Sequence, residues 1–284
     1  MSGQDAFMKS LLLTLAVIPL WVVTTQAQPA VAPPPTPTPA SQESSIKPKR
    51  PTVSRPAEFL GPGLLQIEYG YDGNFRAKDL RADQAAALTV SFAASDRFQF
   101  EFDLDTVASQ TDQTLVRQTA VGDARLGIQT NILPDTTKHP SLAFAYFVKL
   151  PTGDAAKGLS TGRADHQILV LTSKKVRGTD IDFNVAFLIN GRQDQTGFVT
   201  GGQFALGFSH DLKRGFGLQG ELFGESKDSD QPQGLFTIGA LTYKVNPQLS
   251  FDVGVRVGLN RDAPRIGFVA GATFGVVNLY RRNK

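Results

Sequence analysis

The chain has 284 residues and no cysteine, which excludes a disulfide scaffold, a thiolate metal site and a lipid-acylated cysteine. Histidine occurs only three times, at His139, His166 and His210. These fall in a turn, near a strand start and at a strand end, so they do not converge as metal ligands must. No metal or other cofactor is expected. A charge of one sign is also lacking. The net charge is only +3, and the basic residues cluster only at residues 47–55 and 281–284. No basic face for nucleic acid results. Long hydrophobic runs are the last absence. The single candidate, residues 11–23 (LLLTLAVIPLWVV), falls short of the roughly twenty residues a spanning helix needs. If the mature chain enters a membrane, it must do so as a closed barrel.

What is present begins with that apolar run. Lys9 precedes it, and Thr25-Gln26-Ala27 follows as a small-x-small cleavage site, so residues 1–27 read as a signal peptide of an exported protein. A retained anchor is the competing reading, but Pro19 and the polar residues after the run suit cleavage better. Residues 28–57 are rich in Pro, Ser and Thr and are expected to form a disordered periplasmic linker unable to bury a core. Its end is basic (Lys47, Lys49, Arg50, Arg55), as a solvated spacer or as a tether touching peptidoglycan or lipid headgroups.

Residues 58–284 change pattern to repeated strand pairs. In residues 122–153, Leu126, Ile128 and Ile132 alternate with Arg125, Gln129 and Asn131. After the turn PDTTKHP, Leu142, Phe144, Tyr146, Val148 and Leu150 alternate with Ala143, Ala145 and Lys149. An apolar period of two is strand, not helix. The pattern recurs through about twelve segments of roughly ten residues, and polar loops alternate with shorter turns. Long polar connections are expected at residues 72–83 and 106–121. The facing of residues 235–245 stays open, because both phases carry apolar groups.

Charges on the face opposite the apolar one decide the class. In a soluble β-sandwich they would sit in the core without partners, at high cost. In a membrane barrel the apolar face meets lipid and the charges meet a wet interior. The expected fold is therefore all-β: a transmembrane antiparallel up-and-down β-barrel of about 12 strands. Its localisation would be the outer membrane of a Gram-negative-type bacterium, with both termini periplasmic. Ten charged residues are candidates to line the lumen and set its selectivity: Glu68, Glu101, Asp103, Asp123, Arg125, Lys149, Asp182, Glu221, Asp252 and Arg256. They would either border a conducting path or pair across a filled interior. No serine or threonine is set in a nucleophile–base motif, and His166 is the one histidine on the external side, so no enzyme activity is expected. The final strand reaches Tyr280 and is followed by the basic tail 281–284, a departure from a strand that ends on an aromatic.

Several motifs resemble a known family. Gly122-Asp123-x-x-Leu126-Gly127 followed by Leu150-Pro151-Thr152-Gly153 is similar to outer-membrane proteins grouped under the MetA-pathway of phenol degradation. Further matching pieces are Ser173-Lys174-Lys175 ahead of the Asp182 strand, the Glu221 strand, and Asn246-Pro247-Gln248-Leu249-x-x-Asp252-x-Gly254. The resemblance covers residues 61–280. It implies an outer-membrane barrel and uptake of small organic solutes, including aromatic or hydrophobic ones, and it brings no catalytic residues. The expected partners are outer-membrane lipid and lipopolysaccharide, the barrel-assembly machinery, the solute, and peptidoglycan through the linker. The alternative function is a non-conducting structural or adhesive barrel tethered to the cell wall.

Overall fold

Alternating side chains fix which face of each strand meets which medium, and the ladder then closes on itself. The computed structural model describes residues 45–77, 80–192, 196–226, 228, 234–276 and 279–280. The expected signal peptide, residues 28–44 of the expected linker and the tail 281–284 lie outside the described residues. The strands are β1 (Leu65–Phe75), β2 (Leu80–Ala93), β3 (Phe98–Asp112), β4 (Arg117–Ala120), β5 (Ala124–Leu133), β6 (Ser141–Leu150), β7 (Asp165–Val176), β8 (Thr179–Gly191), β9 (Phe198–Asp211), β10 (Phe216–Ser226), β11 (Gly234–Asn246), β12 (Leu249–Gly258) and β13 (Ile266–Val276).

Apart from β4 and β5, each strand pairs antiparallel with its chain neighbour, and β1 pairs with both β2 and β13, which shuts the ring. The short β4 adds to β3 outside the ring and β5 takes the next place in it, so thirteen strands make a barrel of twelve. Closure satisfies the backbone groups of every wall strand and leaves no edge, which is the condition for crossing lipid with strands.

The outside is a continuous apolar surface. Tyr69, Phe100, Leu126, Phe144, Val170, Phe183, Leu206, Leu218, Leu241, Phe251 and Phe268 are all exposed there. A soluble protein would not carry such a band. The open facing of β11 is resolved: Leu241, Tyr243 and Val245 point out, while Ile238 and Ala240 are buried inside.

The connections differ between the two ends. One end carries two-residue turns, Arg177–Gly178 and Pro247–Gln248. At the first, φ is +50° at Arg177 and +85° at Gly178, the paired left-handed conformation whose twist suits a hairpin. The other end carries longer segments, notably 151–164 between β6 and β7. Two expected loops there are partly ladder. Residues 72–75 and 80–83 extend β1 and β2, and residues 106–112 extend β3, of which 108–111 pair with β4. Loop-like polarity misled at these places, because at the rim both faces of a strand are wet and its alternation fades.

The largest difference from the sequence reading concerns residues 45–57. They are not a solvated linker. They run inside the barrel, against inward side chains of β1, β2, β3, β5, β7, β8, β10 and β12. Ile46, Lys49, Ser54, Ala57 and Leu60 are all buried. Proline and polarity marked the segment as unable to form its own core. They did not exclude its lodging in one that the barrel supplies.

Candidate functional site

The interior is built around this inserted segment. The chain enters at the short-turn end, where the Ile46 N–H donates to the Pro247 carbonyl (2.9 Å). It climbs past Lys49 to Arg50, whose guanidinium donates to the carbonyls of Tyr71 (3.1 Å) and Ala270 (3.2 Å) on neighbouring strands. It then returns, and the Gly63 N–H donates to the Ala93 carbonyl (2.7 Å), again at the short-turn end. Two wall glycines make room at the top of this path. A Cβ at Gly70 or at Gly271 would stand 2.5 Å from the Arg50 guanidinium group, so only a bare backbone admits the arginine there.

The segment's backbone is held by wall side chains. The Lys47 N–H donates to Gln66 Oε1 (2.8 Å) and the Lys49 N–H to Glu68 Oε1 (2.8 Å). Val53 and Ser54 N–H both donate to the Glu221 carboxylate (2.9 and 2.5 Å). Asn184 is bonded both ways to the Arg55 backbone, accepting at 2.6 Å and donating at 2.9 Å. The Ala57 N–H donates to Ser173 Oγ (2.7 Å), and that hydroxyl in turn bonds Asp182. A proline-rich stretch has few N–H groups, and the wall supplies an acceptor for several of those that remain.

The charges of the segment meet those of the wall. Glu101 receives the Lys49 ammonium and the Arg55 guanidinium, the latter at 2.5 Å, with Arg125 further off at 3.9 Å. Arg50 Nε lies 3.7 Å from Asp252. Higher in the barrel, a row crosses four adjacent strands in register: Asp103, Arg125, Lys149, Asp165. Arg125 bonds Asp103 (2.8 Å), and Lys149 bonds Asp165 (2.6 Å) and Asp123 (3.0 Å). Arg256 binds Asp72 through both terminal nitrogens, at 3.0 and 2.8 Å.

All ten predicted lumen residues therefore have their charged groups on the inner side, but in four separate settings. Glu68, Glu101, Asp182, Glu221 and Asp252 contact or adjoin the inserted segment. Asp103, Arg125 and Lys149 form the upper row, and Arg256 stands apart with Asp72. Asp123 has a different task. It accepts the Gly153 N–H (2.9 Å) and the Ser160 hydroxyl (3.0 Å), while Thr152 Oγ1 accepts the Ala124 N–H (2.8 Å). The Gly-Asp and Leu-Pro-Thr-Gly motifs are thus the two halves of a clamp that folds residues 151–164 onto the long-loop rim.

Sequence reasoning missed Lys49, Arg50 and Arg55 as interior residues, and also Phe147. Phe147 is 1% exposed, in the inward phase of β6, and its ring lies over Gly127. The guanidinium carbons of Arg55 and Arg125 stand 4.7 and 4.6 Å from its centroid, within cation–π range. Its phase, shared with Ala143, Ala145 and Lys149, was the available signal. With Leu169, Leu171 and Leu188 it forms an apolar patch inside the barrel, closed below by Ala57 of the segment.

The segment divides the interior space. Towards the long loops lies a cavity of about 1040 Å³, bordered by the charged row, by Phe147, Leu169 and Leu188, and by Lys49, Arg50 and Arg55 from below. Towards the short turns lies one of about 280 Å³, bordered by Ser173, Asp182 and the lower side of the segment. Lys49 and Thr52 border both. The histidines stay apart. His166 Nδ1 is 2.7 Å from the Tyr146 hydroxyl on the outer face, and His210 is 3.1 Å from Thr179. Among the described residues no three His, Asp or Glu side chains are placed to hold a metal.

No curated protein gives a significant sequence match. Among solved structures, an outer membrane channel from Pseudomonas putida F1 superposes with a TM-score of 0.61 at 13% identity, over 81% of this chain and 100% of that one. The KdgM porin in complex with disordered oligogalacturonate gives 0.51 at 8% identity, and the NanC porin 0.50 at 11%, each over 74% of this chain and 98% of the other. At such identities the likeness is one of fold: the outer-membrane barrel. The family comparison reaches further. Residues 50–275 match the family described as "Putative MetA-pathway of phenol degradation", and the match begins within the inserted segment. Because that match spans most of the chain, the chain belongs to that family.

Proposed function

We propose that the barrel binds and passes small organic solutes across the outer membrane, with the short-turn end and both termini on the periplasmic side. The observation that carries this reading is the 1040 Å³ cavity beneath the long loops, because it joins an apolar wall to fixed charges. Phe147, Leu169 and Leu188 offer a surface for a ring or short alkyl group. Arg55 and Arg125 border the same space and offer planar guanidinium donors to a carboxylate. A solute with an apolar body and one acidic group uses both. A sugar uses only the second.

A specific observation favours the second reading, a non-conducting barrel. Residues 46–60 occupy the middle of the interior, and in this arrangement they separate the two cavities. Liposome swelling with purified full-length protein tests between the readings. Passage of benzoate-like acids above empty liposomes, and faster than sugars of similar size, is expected. Permeability equal to that of empty liposomes for every solute would overturn the conduit in favour of the structural barrel.

A further inference from the structure

We propose that residues 47–56 are a withdrawable cationic plug seated on an acidic ring of the wall, and that the uncovered ring selects cations. The proposal rests on the barrel being a conduit, and it adds that the conduit has two selectivities.

The ring is built from distant strands. Glu68, Glu101, Asp182, Glu221 and Asp252 come from β1, β3, β8, β10 and β12. The cations that face them belong mostly to the segment: Lys49 and Arg55 on Glu101, and Arg50 beside Asp252. The wall's own Arg125 reaches Glu101 only at 3.9 Å. One contact is incompletely closed. Asp252 is 8% exposed, and its Oδ1 has no hydrogen-bond partner; the Nε of Arg50, 3.7 Å from the other carboxylate oxygen, has none either. An unpartnered buried carboxylate oxygen attracts a cation. The protein's own guanidinium satisfies it poorly.

The attachment suits withdrawal. Between Lys47 and Leu60 no backbone–backbone hydrogen bond joins the segment to a wall strand among the described residues. Its anchors all use a side chain, either a wall side chain on the segment's backbone or the segment's Lys49, Arg50 and Arg55 on the wall, and it has a cavity on each side. Both ends leave through the short-turn end, at Pro247 and at Ala93. The segment can therefore leave as a loop. No chain end has to thread through the barrel and no ladder bond has to break. Once it has gone, the ring faces water without its counter-charges, and such rings favour cations.

The absence of native cysteine makes a clean lock available. A Cβ at position 207 stands 3.1 Å from the Ser54 Cβ, a few tenths of an ångström short of the usual disulfide range of about 3.5–4.5 Å, a gap that a small shift of the segment closes. Full-length S54C/G207C is recorded in planar bilayers under a potassium chloride gradient, oxidised and then reduced. The oxidised form is expected to give one small, weakly selective conductance. Reduction is expected to add larger openings, with the reversal potential moved towards that of potassium. Equal conductances and reversal potentials in both states would overturn the proposal. No current in either state would overturn the conduit reading and the selectivity claim with it. Withdrawal is decided separately by the single variant S54C, since Ser54 is only 3% exposed when seated. A charged maleimide is expected to label the introduced thiol in the folded barrel, faster at high salt. If that thiol reacts only after denaturation, the segment is a fixed part of the wall and the plug is refuted.

Discussion

Replacing Glu101 by glutamine should loosen the inserted segment by an amount that can be worked out. Glu101 accepts from two of the segment's cations, the Lys49 ammonium, which also donates to Ser91 Oγ (2.9 Å), and the Arg55 guanidinium. Glutamine keeps the shape and one acceptor oxygen, but it loses the charge and turns an amide N–H₂ towards a cation. A hydrogen bond to a charged group contributes about 1.5–3 kcal/mol net. Two weakened bonds would suggest up to about 6 kcal/mol, but two effects reduce this. Lys49 and Arg55 both border a cavity, so water can replace part of what is lost. The seated state also keeps its bonds to Glu68, Asn184 and Glu221. The expected cost is about 2–3 kcal/mol, or roughly a 30- to 150-fold rise in the unseated population. The segment carries its own reporter. Lys47, Arg50 and Arg55 each precede a proline, so the Lys49–Arg50 bond is the one site in residues 45–60 open to trypsin. Cutting there in the folded full-length barrel, followed by mass spectrometry, should accelerate by that factor in E101Q when reclosing outpaces cleavage. The external K157Q should leave it unchanged. A folded E101Q barrel cut at the wild-type rate would refute the view that Glu101 holds the segment.

Three other perturbations probe the upper interior. R125Q leaves Asp103 without its 2.8 Å partner, so reversal potentials in a salt gradient should move towards the cation; no movement would place Arg125 outside the path. F147A removes a ring that lies over Gly127 and packs in the apolar patch, where core truncations cost about 3–5 kcal/mol. Because one side borders the cavity, a smaller loss of about 1–3 kcal/mol is expected in thermal unfolding, with slower swelling by aromatic acids and unchanged swelling by sugars. D123A opens the rim clamp by removing the acceptor of the Gly153 N–H and of Ser160 Oγ. Trypsin should then cut after Lys157 faster than in the wild type, and an unchanged rate would show that the 151–164 loop is held by something else.

Much of the barrel could be read from period-two alternation, because lipid outside and water inside act on every wall strand in the same way. The twelve segments and the inward phase of Glu68, Glu101 and Arg256 follow from it directly. It fails where the medium is the same on both faces. At the rim both sides are wet, and the extensions of β1, β2 and β3 read as loop. Along β6 to β8 both phases carry apolar groups, and the inward Phe147, Leu169 and Leu188 do not stand out from the outward ones. The rim clamp was visible as a spacing of motifs, but its cause was not. Asp123 and Gly153 are thirty residues apart, and only the β5–β6 pairing brings them together.

The inserted segment was hidden for a different reason. Alternation says which way a side chain points and nothing about what it will meet. Electroneutrality could have said more. The ten inward candidates comprise seven acids and three bases, a deficit of four positive charges. A narrow interior cannot hold such an excess without partners, since each unpaired buried charge costs several kcal/mol. The end of the linker carries four basic residues, Lys47, Lys49, Arg50 and Arg55, within nine positions. Lys47 pairs with the segment's own Glu58 at the mouth, and the other three reach the interior wall acids. The composition that marked residues 45–57 as unable to fold alone and the charge that marked the lumen as incomplete were therefore two sides of one interaction. Where an exported barrel's inward set is out of balance, a nearby proline-rich segment of the opposite sign is the first place to look for what fills it.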